Sequence, residues 1–180
     1  MLTALQAHLQ DEELPMALRA RLHKAQLQID SAQLDRLADQ LAIRLTLHYQ
    51  HSHPILICRK RQGLVLTGML LRRLGFVLSI AELQQDLSIQ SEMSLEGRIV
   101  MLLDGQYEEA KGRDAVTAML EQQQVQQVVR IAVLERSTDQ PMADDSLVPP
   151  QQLAGAGAVP LGCGFELDGV GANLPDLYFV

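Results

Sequence analysis

Large rings are nearly absent from this chain. It has no tryptophan and only 3% aromatic residues, so Leu, Val, Ile, Ala and Met must fill whatever core it builds. Cysteine is scarce too. Cys58 and Cys163 lie far apart with no second cysteine at ligand spacing beside either, which excludes a cysteine-based zinc centre and a disulfide framework. Both are expected to be buried, reduced thiols. Basic excess is missing: 15 Lys and Arg stand against 22 Asp and Glu, a net charge of −7. That excludes a sequence-independent nucleic-acid binder, which needs a basic face. No apolar run approaches the roughly 20 residues that cross a bilayer. The first ten residues are too polar for a signal-peptide core, so a cytoplasmic protein is expected. No Gly-x-Gly-x-x-Gly follows a candidate strand, and Gly155, Gly157, Gly162 and Gly164 come late with no helix after them, which argues against a Rossmann dinucleotide binder. The absence of a Gly-x-Ser-x-Gly elbow argues against a Ser/His/Asp hydrolase.

At 180 residues and 47% hydrophobic, the chain is long and apolar enough for one domain with an appendage. Its most telling stretch is 99–114. The apolar run from Ile99 to Leu103 reads as a buried strand that ends in Asp104. A polar loop with Glu108 and Glu109 follows, then the small-residue turn Ala110-Lys111-Gly112 and a helical pattern at Ala115, Val116, Met119 and Leu120. A strand, an acid at its carboxyl end and a tight turn opening a helix make a phosphate and ribose site in open α/β proteins. Amides at the helix start receive phosphate, and the acids accept from sugar hydroxyls or hold a metal.

Residues 1–29 carry an amphipathic pattern, Leu2, Leu5, Leu9, then Leu18 and Leu22, with Pro15 between, and read as two short helices. They pack either on the domain or on a partner. Asp30 with Gln33 matches a capping box ahead of a helix bearing Leu34, Leu37, Leu41 and Leu45. His48, His51 and His53 crowd the stretch before Pro54; without a carboxylate or cysteine beside them they read as a polar linker before a metal site. Residues 54–58 form a buried strand, 59–63 the loop after it, 64–74 a helix stopped by Gly75, and 76–80 the next strand. Residues 81–97 are ambiguous. The strand at 99–103, a helix from 112 to 123, a strand at 128–134 and a loop over 138–150 follow, with final strand segments near 162–165 and 177–180. Strands alternating with helices predict an α/β fold: a mostly parallel sheet flanked by helices. The strand-end loops at 59–63, 104–112 and 135–140 then gather on the edge where such sheets bind ligands.

With these segments placed, the chain from about residue 27 to 180 resembles the type I phosphoribosyltransferases, especially their hypoxanthine-guanine branch. Four places carry the resemblance. Residues 54–80, ending in Leu-Arg-Arg-Leu-Gly-Phe-Val-Leu, look like the family's first strand, pyrophosphate loop and following helix and strand. Residues 100–113 look like its phosphoribosyl diphosphate (PRPP) motif. Residues 128–135 with Arg-Ile-Ala-Val-Leu resemble the next strand. Residues 161–180, with Gly162-Cys163-Gly164-Phe165-Glu166 and Asn173-Leu174-Pro175, resemble the closing segment. The division that follows is an N-terminal helical extension, 1–29, and a phosphoribosyltransferase-like domain, 30–180.

The resemblance implies transfer of a phosphoribosyl group from PRPP to a purine with Mg2+, by displacement at an oxocarbenium-like carbon where positioning and charge stabilisation do most of the work. It places Asp104 on the first acid of the motif pair and Glu108 on the catalytic acid. It places Glu109, Ala110, Lys111, Gly112 and Arg113 on the phosphate turn, and Lys60, Arg61, Gln62 and Gly63 on the pyrophosphate loop. Val159 falls on the aromatic that stacks on the base, and Glu166 on a metal-contacting aspartate.

Several matches depart from the pattern. Gly105 stands on the second acid of the pair. Glu109 puts an anion beside the phosphate, a repulsion of about 4 kcal/mol for unit charges about 4 Å apart at an effective dielectric near 20. Gln62 replaces a glycine, Ala172 an arginine that meets pyrophosphate, and no lysine follows Lys111. The expected protein is therefore a degenerate relative that binds a nucleotide, PRPP or a phosphate anion with catalysis weak or lost. The alternative is an active purine phosphoribosyltransferase. A homo-oligomer is expected, with residues 1–29 as a possible surface for a protein partner.

Overall fold

Strand β5, Ile99–Asp104, is buried along all six residues, and the rest of the fold is arranged around it. Ile99, Met101 and Leu103 face one apolar cluster while Val100 and Leu102 face another. An unbroken apolar run suits a strand covered on both sides, where alternation of polar and apolar residues has no use. The computed structural model describes residues 5–6, 14–84, 88–90, 93–106, 111–135, 143–149 and 158–180, with the backbone alone at 60 and 111–114.

In chain order the described elements are α1 (Met16–Leu22), β1 (Gln26–Ile29), α2 (Ser31–Tyr49), β2 (Ile55–Cys58), α3 (Lys60–Leu71), β3 (Ser79–Leu83), β4 (Ile89–Gln90), β5, α4 (Lys111–Gln122), β6 (Gln127–Leu134), β7 (Asp145–Val148), β8 (Pro160–Leu161) and β9 (Leu177–Phe179). The main sheet has six strands in the order β4-β3-β2-β5-β6-β7. All neighbours are parallel except the β3–β4 pair at the edge. This is the predicted α/β architecture. Helices α2 and α3 cover one face through Leu34, Leu41, Leu45, Leu66 and Leu70. Helix α4 covers the other through Val116 and Leu120.

A second, antiparallel sheet, β1-β9-β8, sits beyond the main one. Leu177 and Phe179 of β9 belong to the main core, whereas Tyr178 between them faces a third cluster with Leu18, Leu22, Leu161, Leu167 and Leu174. This small sheet is a hood over the carboxyl ends of the main strands. It brings residues far apart in sequence together, because β1 pairs with β9.

Several sequence expectations change here. Of the two helices expected in 1–29, the second is α1, with Pro15 as its N-cap, and residues 5 and 6 are helical while the rest of the first lies outside the described residues; what the sequence did not show is the strand β1. The Asp30 cap is made as read: the Gln33 amide donates to Asp30 Oδ1 at 2.7 Å, and the Asp30 amide donates to Gln33 Oε1 at 3.1 Å. The expected loop at 60–63 is the first turn of α3, which ends on Arg72 rather than Gly75. The strand read at 76–80 lies at Ser79–Leu83, and a strand, β7, lies inside the expected loop 138–150. Of the three histidines read as a linker, His48 lies in the last turn of α2, and among the described residues no cluster of three or more His, Cys, Asp or Glu is placed to hold an ion. His48 Nδ1 contacts the Arg44 carbonyl at 2.8 Å, and the His53 carbonyl accepts from Arg98. Among the described residues no helix is long and apolar enough to cross a membrane.

Leu22 is 1% exposed within the hood cluster. Leu22→Ala should lower stability by about 2–5 kcal/mol, the usual cost of emptying a closed apolar site, read as a drop in urea midpoint. An unchanged midpoint would mean that α1 is an appendage without structural weight.

Candidate functional site

Register brings the site together. Cys58 ends β2 opposite Leu103 of β5, so the next residue on each strand, Arg59 and Asp104, lie side by side at the carboxyl edge of the sheet. The Arg59 amide donates to the Leu103 carbonyl at 2.7 Å, continuing the ladder by one bond. Its guanidinium Nε lies 3.6 Å from Asp104 Oδ2, and the Gly105 amide donates to Asp104 Oδ1 at 2.7 Å. Asp104 is 1% exposed. At this separation the two charges attract by about 4 kcal/mol at an effective dielectric near 20, and desolvation of both offsets much of it. The acid read as a ribose ligand is thus a buried, ion-paired carboxylate.

Helix α3 starts at once after Arg59, and it starts tight against β5. A Cβ added at Gly63 would overlap the Leu103 carbonyl oxygen. A Cβ added at Gly105 would overlap Cβ of Gln62, with the Gln62 Cγ 2.7 Å away. Gly63 and Gly105 are therefore glycines of close approach: the first turn of α3 lies directly on the end of β5, and Gln62 fills the space beside Gly105. On its other side Gln62 meets Gly164 of the hood, where an added Cβ would lie 2.9 Å from the Gln62 Cα.

The hood closes the cleft. Gln62, Asp104, Gln106, Val159, Pro160, Phe165 and Glu166 line a cavity of about 210 Å3. Four of the residues singled out from sequence meet here: Gln62, Asp104, Val159 and Glu166. Val159 is 41% exposed at the rim. Glu166 accepts from Arg61 Nη1 at 2.6 Å, so a residue read for metal and a residue read for pyrophosphate are paired with each other. Lys111, Gly112 and Arg113 form the first turn of α4, the position expected of a phosphate-binding helix start. Glu108, Glu109 and Ala110 lie outside the described residues, as do the side chains of Lys60, Lys111 and Arg113.

The sequence marks Arg59 only as one cation of the loop 59–63 suited to pyrophosphate, not as a partner of Asp104, and it marks no role for Gln106, Pro160 or Phe165. Arg59 could have been found from one signal, a cation following the apolar strand 54–58 and so matching the acid that follows 99–103. The other three depend on how the hood folds back.

Magnesium fits the described carboxylates poorly. The ion takes oxygen ligands at about 2.0–2.1 Å in an octahedron and keeps several waters. Asp104 and Glu166 each already face a guanidinium. These guanidiniums compete with an ion for the same oxygens.

Both thiols, Cys58 at the end of β2 and Cys163 in the apolar core, are held in their protonated form. Burial pushes the Cys163 thiol up to about 11. Burial also raises Cys58, with Asp104 and Glu82 adding to it and a hydrogen bond with Thr67 opposing it.

No family model matches the chain, and no curated protein matches it. Solved structures do. The hypoxanthine phosphoribosyltransferase of Staphylococcus aureus superposes with a TM-score of 0.70 at 16% identity, over 84% of this chain and 90% of that one. A hypoxanthine-guanine phosphoribosyltransferase of Bacillus anthracis gives 0.70 at 13%, over 86% and 96%. A variant of the Trypanosoma cruzi hypoxanthine phosphoribosyltransferase complexed with the product IMP gives 0.71 at 15%, over 87% and 84%. The chain has a type I phosphoribosyltransferase fold of the hypoxanthine-guanine kind.

Two outcomes follow from these contacts. Arg59→Met leaves Asp104 buried without its cation and should cost about 3–5 kcal/mol by urea unfolding, with Asp104→Asn in the same chain recovering part of the loss. Equal stability of Arg59→Met and the parent would remove the pair from the account. Iodoacetamide at about pH 8 should label the native thiols more slowly than those of the urea-unfolded chain, since raised thiol pKa values leave less thiolate. Equal rates would contradict the assigned shifts.

Proposed function

We propose that this phosphoribosyltransferase-fold chain is a degenerate hypoxanthine-guanine phosphoribosyltransferase-like protein. It binds a nucleotide, PRPP or a phosphate anion in the cleft under the hood, and its capacity for phosphoribosyl transfer is weak or lost. The observation that carries this reading is the seating of Gln62 on Gly105. The second acid of the motif pair has no room there unless α3 moves, because the Gln62 Cβ and Cγ already occupy that volume. The first acid, Asp104, is turned to Arg59 and the Gly105 amide. A ribose diol that would be held by two carboxylates therefore meets one, already paired. Each hydrogen bond lost to a charged group is worth about 1.5–3 kcal/mol, which compounds into orders of magnitude in rate.

Binding is supported by other features. The cleft lies at the carboxyl edge of a parallel sheet, where open α/β folds take ligands. The start of α4 presents helix amides after β5, as a phosphate site requires. Arg61 is three-quarters exposed at the mouth, and the Trypanosoma cruzi structure of the same fold holds IMP. An active transferase is the competing reading, favoured by the meeting of Asp104, Val159 and Glu166 in one cleft.

Isothermal titration and thermal shift with IMP, GMP, PRPP and pyrophosphate, together with an assay of pyrophosphate release from PRPP with purine and pyrimidine bases, separate the two. Micromolar binding without turnover is the expected result. Turnover abolished by Glu108→Gln would establish the active reading instead, and silence toward every ligand would end the binding role.

A further inference from the structure

We propose that the Gln62 carboxamide is the sugar-reading group of this cleft: it reaches from α3 into the space beside Asp104 that a side chain at 105 would fill, and it takes a ribose hydroxyl there. The assignment rests on the nucleotide-binding reading given above and names the residue by which the cleft tells a ribonucleotide from a deoxyribonucleotide.

A Cβ built at Gly105 would lie 2.7 Å from the Gln62 Cγ and 3.2 Å from its Cδ. The carboxamide carbon is therefore next to Asp104, in the region open to a side chain at 105. Backbone packing holds it there. Gly63 on the Leu103 carbonyl fixes the first turn of α3, and Gly164 of the hood closes on the Gln62 Cα. Gln62 and Asp104 line the same cavity of about 210 Å3.

The polar side chains of that cavity divide into engaged and free. Asp104 faces Arg59 and the Gly105 amide, and Glu166 faces Arg61. Gln62 and Gln106 are half-buried, and among the described residues neither carboxamide makes a hydrogen bond. A ligand that buries these amides must pair them or lose their hydration without return. A carboxamide donates through Nε2 and accepts through Oε1, which complements a hydroxyl, itself donor and acceptor. A phosphate only accepts, and the start of α4 offers it amides. The apolar wall of Val159, Pro160 and Phe165 suits the flat face of a base. The polar floor at the end of β5 is left for the sugar, and strand-end side chains of open α/β sheets read ribose hydroxyls at this kind of position.

An amide in place of an acid keeps the hydrogen bond and discards the charge. A carboxylate beside the sugar would tighten its hold as positive charge develops on the anomeric carbon, whereas a neutral carboxamide holds the ground state and the transition state nearly alike. Gln62 thus favours keeping a nucleotide over forming one.

The test is titration of IMP, 2′-deoxy-IMP and 3′-deoxy-IMP into the full chain and into Gln62→Met, which keeps Cβ and Cγ against Gly105 and removes the amide. In the parent, loss of one of the two hydroxyls should weaken binding about three- to tenfold, the worth of one hydrogen bond. Gln62→Met should weaken IMP by a similar factor and show no preference for IMP over that deoxy analogue. Gln62→Ala, which introduces no new atoms, replaces it should the Met chain lose its cooperative melt. A parent that binds all three nucleotides alike, or an amide-free variant that keeps the parent's preference for ribose, would overturn the assignment while leaving nucleotide binding in place. If none of the three binds the parent at millimolar concentration, the nucleotide reading falls and takes this assignment with it.

Discussion

The contact on which this structure turns is the approach of the first turn of α3 to the carboxyl end of β5. Three glycines make it possible: Gly63 against the Leu103 carbonyl, Gly105 against the Gln62 side chain and Gly164 against the Gln62 backbone. With no Cβ at these points, a helix, a strand end and a hood turn share one junction. Because interiors are packed to the density of organic crystals, a junction this tight tolerates little adjustment. Its consequence is chemical as well as mechanical. The turn that could have been an open anion-binding loop is committed to a helix, and the volume next to Asp104 is taken by a carboxamide.

The hood is positioned by contacts that run between distant parts of the chain. The Ser31 amide at the start of α2 donates to Asp176 Oδ1 at 2.8 Å, and the Tyr178 hydroxyl donates to Asp176 Oδ2 at 3.0 Å. A carboxylate at a helix N-terminus is stabilised there by the helix dipole. Asp176 therefore ties the hood sheet to the main helix layer while β9 feeds Leu177 and Phe179 into the central core. Elsewhere, Arg73, just past the end of α3, reaches Asp35 and Asp39 of α2, and Arg44 spans from α2 to Asp145 of β7. With so few aromatic rings, long arginines supply much of the polar reach between layers.

What could be read from the sequence followed from periodicity. The apolar runs at 54–58 and 99–103, and the run at 128–134 broken only by Arg130, became β2, β5 and β6, since a strand covered on both faces uses such a run. The Asp30 cap was legible because its chemistry is local. The elements that were missed are those where the local signal points the other way. Arg59-Lys60-Arg61-Gln62 reads as a polar loop, yet Lys, Arg and Gln are good helix formers, and the glycine that seemed to mark the loop is there for packing. Strand β1 was hidden in an amphipathic helical pattern, and β7 in an Asp- and Pro-rich stretch, since each depends on a partner distant in sequence. For the cleft, Asp104, Val159 and Glu166 could be placed by resemblance. The pairing of Asp104 with Arg59 required the β2–β5 register, and the pairing of Glu166 with Arg61 required the hood.

Gly105 shows how a substitution changes meaning once its neighbours are known. In the sequence it is a missing carboxylate, a single loss from an acidic pair. In the fold it is one of a set of mutually dependent choices: a side chain at 105 is incompatible with Gln62, Gln62 belongs to the helix that Arg59 caps and Arg61 opens, and those two guanidiniums pair with Asp104 and Glu166. Restoring the acid at 105 alone would drive a carboxylate into the Gln62 side chain. It would also add a negative charge to a cleft whose described charges already balance, two cations against two anions. A change at 105 is thus coupled to Gln62 and, through the first turn of α3, to the placement of Arg59 and Arg61, so the residue cannot be read apart from the helix that packs on it.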